Sequence, residues 1–237
     1  MMSQYTVNTE LAPEAIVERL VAQYASGSLG GGMNLLMASV LTLRPELRRE
    51  YNDMLAIQGA LLDEETVADV SETALDDILA KLDKVDIVPV EAAVSSAQSV
   101  DKSDDPSDTV NCDIPSPIRS FLDNEIADIG WKFAYPGVKQ KILKTGDSNE
   151  TVKLLKISPG RAAPRHTHKG FEATLVLRGA FRDDGELYSR GDVAFANGNV
   201  THRPQAEGDE DCYCLAVTNG PLRISDSIKR LVRDFIH

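Results

Sequence analysis

The sequence predicts a two-domain α + β protein, in which an N-terminal α-helical bundle precedes a C-terminal antiparallel β-barrel. Apolar residues recur at helical spacing up to residue 85, and a stretch rich in Ser, Asp and Pro follows them. From Trp131 onward the apolar residues recur at the period of a β-strand. We therefore expect a helical domain over residues 1–85, a flexible acidic linker over residues 86–116 and a β domain over residues 117–237.

Four helices are predicted in the first domain, and the third opens on a proline, which suits the first turn of a helix. The predicted ranges are Pro13 to Ala25, Met33 to Leu43, Pro45 to about Asp63, and Glu72 to Leu82. The fourth helix carries one apolar stripe, composed of Leu75, Ile78, Leu79 and Leu82. Such a stripe packs inside a bundle in most proteins, but a helix that docks on a partner has the same pattern.

The linker and the β domain differ in their content of large apolar side chains. Residues 86–116 hold too few of them to offset the entropy of ordering. Beyond them, five short runs are separated by Gly, Pro, Asn and Asp, which is typical of an antiparallel sandwich or barrel. The predicted strands are Val138 to Lys144, Val152 to Ile157, Phe171 to Leu177, Asp192 to Ala196 and Cys212 to Thr218. A final amphipathic helix, Ser227 to Ile236, is expected to pack on the barrel.

The charge of the chain restricts its partners. The net charge is −12 over 237 residues, and residues 1–85 carry 6 basic against 14 acidic side chains. Such a surface repels a polyanion, so we expect no direct binding of nucleic acid, whereas a basic protein partner is compatible. No apolar run reaches the roughly 18 residues that span a bilayer. The start of the chain is unlike a signal peptide and the three cysteines form no disulfide framework, so a cytoplasmic protein is expected.

Three of the four histidines lie close together in the β region. His166 and His168 are two residues apart, so they point to the same side of a strand, and Glu172 falls in phase with that side. His202 follows the turn at residues 197–199. Imidazole and carboxylate form a mixed nitrogen and oxygen set that suits Zn, Fe, Mn or Ni. We therefore predict one metal ion held by these four side chains.

Two of the three cysteines are a further candidate site. Cys212 and Cys214 are two apart on a predicted strand, so both thiols face one side. They are either a redox-responsive pair near the metal or two small buried hydrophobes. A disulfide between such neighbours would be strained, so we do not expect one. Cys112 lies in the predicted linker and is assigned no role.

The spacing of the predicted ligands resembles the first motif of the cupin family, whose fold is a double-stranded β-helix. That motif is G-x5-H-x-H-x3-E-x6-G, and it is fitted without departure by Gly160, His166, His168, Glu172 and Gly179. The resemblance implies a cupin barrel. It does not by itself identify the chemistry, since one fold hosts enzymes, sensors and storage proteins.

The second cupin motif, G-x5-P-x-G-x2-H-x3-N, is matched in part. Gly191 and His202 fit it. Asn197 stands where Pro is usual, Asn199 where Gly is usual and Ala206 where Asn is usual. The ligand is therefore kept, and the changes fall on turn and packing residues.

A closer resemblance is to the ChrR-type anti-sigma factors. It is carried by Thr174 to Asp183, Asp211 to Ala216, Pro221 to Arg223, Tyr24 to Leu29 and Ala38 to Arg48. These proteins join a helical domain that sequesters an extracytoplasmic-function sigma factor to a metal-binding cupin. The family is linked to responses to singlet oxygen and organic peroxides. The resemblance thus implies a sigma factor as the partner of the N-terminal helices.

One departure from that family concerns its N-terminal zinc. The family holds this ion with an H-x3-C-x2-C run and an earlier His. Here the run positions hold Val40, Arg44 and Leu47, and no His or Cys precedes Cys112. The first domain is therefore expected to fold on apolar packing or on its partner, without zinc.

The prediction is thus a transcription regulator of the anti-sigma type that senses oxidative stress through its metal-bound cupin, and this interpretation is preferred to an enzyme. Four protein ligands suit a closed tetrahedral zinc site, so zinc is favoured over Fe, Mn or Ni. In octahedral Fe or Mn the same ligands leave two open positions, and a dioxygenase or isomerase with an accessory helical domain is the alternative. A descendant that kept the barrel and lost sigma binding also stays open, as does a homodimer.

Overall fold

The computed structural model describes residues 12–82, 114–122, 129–143, 145 and 150–224. Its helices are α1 (Pro13–Ala25), α2 (Gly31–Leu43), α3 (Pro45–Asp63), α4 (Ala74–Leu82) and α5 (Ser116–Arg119). The first four confirm the predicted helices, although α2 begins two residues earlier and α4 two residues later than expected. Most of the predicted linker, Cys112 and the predicted helix Ser227 to Ile236 lie outside the described residues. Among the described helices, none is long and apolar enough to span a bilayer.

Helix α1 is amphipathic and has clear start and stop signals. Pro13 occupies its first turn, and its buried stripe is composed of Ile16, Val17, Leu20 and Val21. The helix ends before Gly27, whose φ of 66° is a left-handed conformation that side chains disfavour. The stripe therefore faces the core over the whole length of the helix.

Helix α2 is apolar around most of its circumference, which indicates burial on several sides. Eight of its 13 residues are buried. It contacts α1, α3 and α5, and it also contacts strand β10 of the β domain. Helix α2 therefore lies between the other helices and the sheet.

Eleven strands form three antiparallel sheets in the described part of the chain. They are β1 (Lys132–Tyr135), β2 (Val138–Leu143), β3 (Thr151–Ile157), β4 (His166–His168), β5 (Phe171–Arg178), β6 (Ala180–Asp183), β7 (Glu186–Ser189), β8 (Val193–Asn197), β9 (Gln205–Glu207), β10 (Cys212–Thr218) and β11 (Leu222–Ile224). The largest sheet has the order β1-β2-β3-β10-β5-β8, and the smaller ones are β7-β6-β9 and β11-β4. All five predicted runs are strands, and the short strands between them were not predicted individually.

The six-stranded sheet has two differently covered faces, because successive side chains of a strand point to opposite sides. On one face Leu215 pairs with Leu154 and Leu175, and these residues share one core cluster with the buried residues of α1 and α2. We call this the helix face. On the other face Cys214 pairs with Val176, and both pack against Phe181 of the three-stranded sheet. We call this the barrel face.

The N-terminus of α2 is docked directly on the helix face. A Cβ added at Gly32 would lie 2.7 Å from Cγ2 of Val152 and 3.0 Å from Cγ1 of Val217, so only glycine fits without a shift. Glu150, which precedes β3, accepts hydrogen bonds from the backbone N–H groups of Gly32 at 2.7 Å and Met33 at 3.3 Å. These N–H groups have no partner within the helix, so the carboxylate caps α2 from the β domain.

At the positions of the family's N-terminal zinc run, the structure has apolar packing and an ion pair. Val40 is fully buried and Leu47 is 4% exposed. Arg44, at the junction of α2 and α3, lies 2.7 Å from Glu46 and 3.7 Å from Glu14 of α1. The three helices are thus joined here without a metal ligand.

Candidate metal centre

The four predicted ligands come from three adjacent segments. His166 and His168 are the two ends of β4, and Glu172 is the second residue of β5. His202 lies outside the named strands and is joined to His166 by a two-way backbone bridge, with both N–O distances 3.0 Å. The three imidazoles are each less than 5% exposed. The predicted strand alternation therefore holds, and the structure brings all four side chains together.

The four potential ligand atoms converge on one point. Nε2 of His168 lies 2.9 Å from Oε2 of Glu172 and 3.5 Å from Nε2 of His202. Nε2 of His166 lies 3.9 Å from the same Glu172 oxygen, and all four atoms lie within 4.8 Å of one another. In a tetrahedral zinc site with ligands at about 2.1 Å, neighbouring ligand atoms are about 3.4 Å apart. The set therefore fits a transition-metal ion.

The outer nitrogens of the imidazoles fix which nitrogen faces the centre. Nδ1 of His166 lies 2.7 Å from the carbonyl oxygen of Pro164, and Nδ1 of His202 lies 2.6 Å from Oδ2 of Asp183. Both oxygens accept, so each Nδ1 carries a proton, and in the neutral form of each ring Nε2 keeps its lone pair toward the centre. Nδ1 of His168 is buried and has no partner among the described residues.

Glu172 is a carboxylate in buried surroundings. Burial alone would raise the pKa of Glu172, but hydrogen bonds and charge from His166 and His168 hold that pKa well below its usual range. Its other oxygen accepts a hydrogen bond from the Thr174 hydroxyl at 3.1 Å. The group is thus ionised, as a metal ligand must be.

A small cavity adjoins the centre on the barrel face. It has a volume of about 20 Å³, and its lining includes Glu172, His202, Thr174, Asp183 and Tyr188. Such a volume accommodates about one water molecule. The cavity therefore has room for a water-sized molecule beside the ligands.

Cys212 and Cys214 lie on the barrel face, on the same side of the sheet as the metal ligands. Both are fully buried free thiols, and their sulfur atoms lie 3.6 Å apart. The pair forms no disulfide, as expected from its spacing. The hydrogen bond from Cys212 and burial raise the pKa of Cys214. The thiolate is the reactive form of cysteine, so the raised pKa makes Cys214 less reactive, and burial shields both thiols from solvent.

Comparison with known proteins agrees with this geometry. The family described as the ChrR cupin-like domain matches residues 123–223. The anti-sigma-E factor ChrR of Cereibacter sphaeroides is 34% identical over 220 residues, which cover 93% of this chain and 96% of that protein. The chain belongs to the ChrR family of anti-sigma factors.

A solved structure shares the arrangement of both halves. The crystal structure of Rhodobacter sphaeroides SigE in complex with the anti-sigma ChrR matches 85% of this chain and 96% of the matched chain, with 33% identity and a TM-score of 0.67. This likeness confirms the predicted fold class of N-terminal helices followed by a cupin. It also confirms the resemblance on which the regulator was predicted.

Sequence reasoning missed two side chains that hydrogen-bond to the predicted ligands. Asp183 and Thr174 appear in the sequence only as members of a stretch that resembles the family. The role of Asp183 depends on β6 passing near His202, which no local spacing records. Thr174 instead lies two residues after Glu172 on β5, on the same side of the strand.

Proposed function

We propose that this chain is an anti-sigma factor whose helices bind an extracytoplasmic-function sigma factor and whose cupin carries a metal ion that responds to oxidative stress. Family membership supports the proposal, because the Cereibacter sphaeroides relative is an anti-sigma-E factor. The related crystal structure holds its anti-sigma chain in complex with SigE. The observation in this chain that carries the proposal is a set of exposed apolar side chains on α3, on α4 and on the segment between them.

That surface is exposed although its residues are apolar. We call it the α3–α4 apolar surface, and its members are Leu55, Ile57, Leu61, Leu62, Val67, Val70, Leu75, Ile78, Leu79 and Leu82, which are 40% to 95% exposed. A concentration of exposed large apolar side chains over residues 55–82 is typical of a segment that binds a partner. The stripe predicted in the fourth helix therefore does not pack inside the described bundle, and we assign it to a partner.

The charge around the surface indicates the nature of that partner. Residues 53–82 carry eight acidic side chains and one basic side chain, Lys81. A protein that binds DNA presents basic surfaces, and an acidic rim complements them. A sigma factor, with apolar helix contacts and DNA-binding surfaces, fits both features.

A direct test uses the full chain and an extracytoplasmic-function sigma factor from the same organism. Leu79→Asp should weaken binding by about thirtyfold or more, since loss of a hot-spot residue costs about 2 kcal/mol or more. Ala80→Asp is the matched control, because it adds the same charge to the opposite side of the short helix α4. Binding would be followed by calorimetry and by inhibition of sigma-dependent transcription. Equal affinity of both variants and the wild type would contradict the assignment of this surface.

For the domains we propose a helical domain over residues 1–85, a linker over 86–116 and a cupin over 117–237. Helix α4 ends before this linker, and the strands follow it. The last linker residues are anchored, because Ile114 is buried in the core and α5 begins at Ser116. The two domains also share a core on the helix face. A linker that spans the domains while their surfaces touch allows them to separate and to dock again.

For the metal we propose zinc, held by His166, His168, Glu172 and His202. Four protein ligands suit a closed tetrahedral site, and bound zinc would cross-link β4, β5 and the His202 segment. Iron, manganese or nickel would suit the same donors. The water-sized cavity favours a sensor over a dioxygenase or isomerase of a larger organic substrate.

The sheet offers a short route from the metal centre to the helices. Glu172 of β5 pairs with Thr218 of β10 on the barrel face. The preceding residue, Val217, points to the helix face and contacts Gly32 of α2. We propose that damage at the metal centre shifts the β5–β10 pair and loosens the docked helix. Cys212 and Cys214, on the same strand, would then become accessible as redox groups.

The sensing role is tested on the complex. Singlet oxygen or an organic hydroperoxide should weaken sigma binding by the full chain or raise cleavage within residues 86–116. Glu172→Ala should abolish that response, whereas binding by the untreated variant should persist. Turnover of a small β-diketone by residues 117–237, with no sigma binding by the full chain, would favour the enzyme alternative.

A further inference from the structure

Asp183 touches the metal-ligand segment with both of its carboxylate oxygens. Oδ2 lies 2.6 Å from Nδ1 of His202, and Oδ1 accepts a hydrogen bond from the backbone N–H of Arg203 at 3.2 Å. The side chain is 13% exposed. Asp183 is the last residue of β6, directly before the β6–β7 turn, in which Asp184 has a φ of 45°.

We propose that Asp183 is a positioning residue for the metal ion, which holds the His202 imidazole with Nε2 directed at the other three ligands. The proposal rests on the metal site proposed above. It assigns to β6, a strand that contributes no ligand, a share in the affinity of the site.

The three imidazoles are held in different ways, and His202 depends most on a side chain. His166 and His168 belong to β4, which is paired with β11 along its length. His202 has only an isolated bridge to His166 as its backbone pairing. Nδ1 of His166 binds a backbone carbonyl, whereas Nδ1 of His202 binds a carboxylate. Rotation of the His202 ring is therefore limited mainly by Asp183.

The carboxylate also determines which nitrogen of His202 is available to a metal. A neutral imidazole without a partner exchanges its proton between the two nitrogens, and only the form protonated at Nδ1 can donate Nε2 to the centre. An acceptor at Nδ1 selects that form before a metal arrives, and a negative acceptor raises the basicity of the ligand. Loss of such a partner lowers metal affinity by about 10-fold to 100-fold in known sites.

A purely structural role is the competing explanation. Oδ1 also accepts from the Arg203 backbone, so Asp183 could serve only to close the loop at residues 202–203. Three variants distinguish these two explanations. Asp183→Asn keeps an acceptor oxygen for one of the two donors, whereas Asp183→Ala removes both. Asp184→Asn removes a neighbouring exposed charge that makes neither contact.

The experiment measures zinc affinity of the full chain by chelator competition, with ¹⁵N NMR of the histidine rings in the metal-free and zinc-loaded protein. We expect Asp183→Ala to weaken zinc binding by about 10-fold to 100-fold, Asp183→Asn to weaken it less, and Asp184→Asn to leave it within about twofold. In the metal-free protein, His202 should change from protonation at Nδ1 to a mixture of both forms in Asp183→Ala. His166 should stay protonated at Nδ1 in every variant.

The outcomes distinguish the positioning role of Asp183 from the proposed metal site on which it rests. Absence of zinc binding by the wild type would contradict the metal site itself. Zinc binding by the wild type with unchanged affinity and unchanged His202 protonation in Asp183→Ala would overturn the positioning role and leave a loop contact. If Asp183→Ala does not fold, Asp183→Asn decides by the same two measurements.

Discussion

The helical region and the barrel of this chain differ in whether they keep residues that can bind a metal ion. At the family's N-terminal zinc run the chain has Val40, Arg44 and Leu47, of which two are buried apolar side chains and one is ion-paired. In the barrel, three histidines and a glutamate still converge within 4.8 Å. The difference shows which kind of metal site can be replaced by packed side chains. An apolar interior can fill a lost zinc site, whereas four buried polar groups that face one another need a shared cation or proton.

The largest expected effect is the removal of two metal ligands. The double variant His166→Ala/His168→Ala should reduce metal content from close to one ion per chain to near zero, since a structural zinc site binds with about 10 kcal/mol or more. Elemental analysis of the purified protein measures this directly. Full occupancy in the double variant would show that the ion lies elsewhere.

The helical region should respond differently to metal removal. Residues 12–82 contain no His or Cys, so a strong chelator should leave sigma binding by residues 1–85 unchanged. A chelator-dependent loss of binding by that fragment would show that the helical region also depends on a metal ion. The same chelator should strip the barrel of its ion in the full chain.

The next effect concerns the packing that replaces zinc. Leu47→Ala should lower the free energy of unfolding by about 2–5 kcal/mol, because a buried leucine is truncated in a packed core. Leu61→Ala in the same helix is the matched control, since Leu61 is 61% exposed and an exposed change costs about 0.5 kcal/mol or less. Thermal and urea unfolding with and without chelator measure both. A chelator-dependent effect at Leu47 would contradict packing as the replacement.

A smaller effect is expected where the two regions meet. Gly32→Ala should destabilise the protein by about 1–3 kcal/mol, because the new Cβ would crowd Val152 and Glu150. Gly59→Ala, in an open part of α3, should instead stabilise it by about 0.5–1 kcal/mol. Both variants replace a helical glycine by the same residue. If Gly32→Ala and Gly59→Ala changed the stability of the protein to a similar extent, α2 would not be docked on the sheet as described.

The sequence predicted the elements well and their mutual contacts poorly, and α2 and α4 show why. Both carry apolar residues at helical spacing, yet α2 buries eight residues and α4 buries none. The periodicity of a helix records that one side is apolar but not what covers that side. The docking of α2 depends on Glu150 and Val217, which lie more than one hundred residues along the chain.

The convergence of the proposed metal ligands was predictable because their spacing is local. His166 and His168 point to one side of β4, and Glu172 follows four residues later on β5, so three of the four lie within seven residues. Asp183 was not predictable as a partner of His202, since it belongs to another sheet. Contacts of that kind depend on how sheets pack, and the sequence expresses this only through the whole fold.

The smallest expected effect is a pH dependence at the helix-to-sheet contact. Burial raises the pKa of Glu150, although the N–H groups of Gly32 and Met33 lower it in part. Above the ordinary glutamate pKa and up to the raised value, the folded protein binds more protons than the unfolded chain. Stability should therefore fall as pH rises through that interval. Glu150→Gln keeps an acceptor and cannot ionise, so this part of the dependence should disappear, with a change below about 1 kcal/mol for a partly buried group.

Glu46→Gln is the control with the opposite sign. The hydrogen bond from Arg44 holds the pKa of Glu46 below its usual range, so its contribution is present above the ordinary glutamate pKa and is lost as pH falls through the lowered value. Urea unfolding between about pH 3 and pH 8 should show that Glu150→Gln removes a fall in stability with rising pH, whereas Glu46→Gln removes a rise. A Glu150→Gln protein that is less stable than the wild type at neutral pH would mean that the charge of Glu150 at the N-terminus of α2 outweighs its desolvation. In that case the contact is electrostatic, and salt should weaken it.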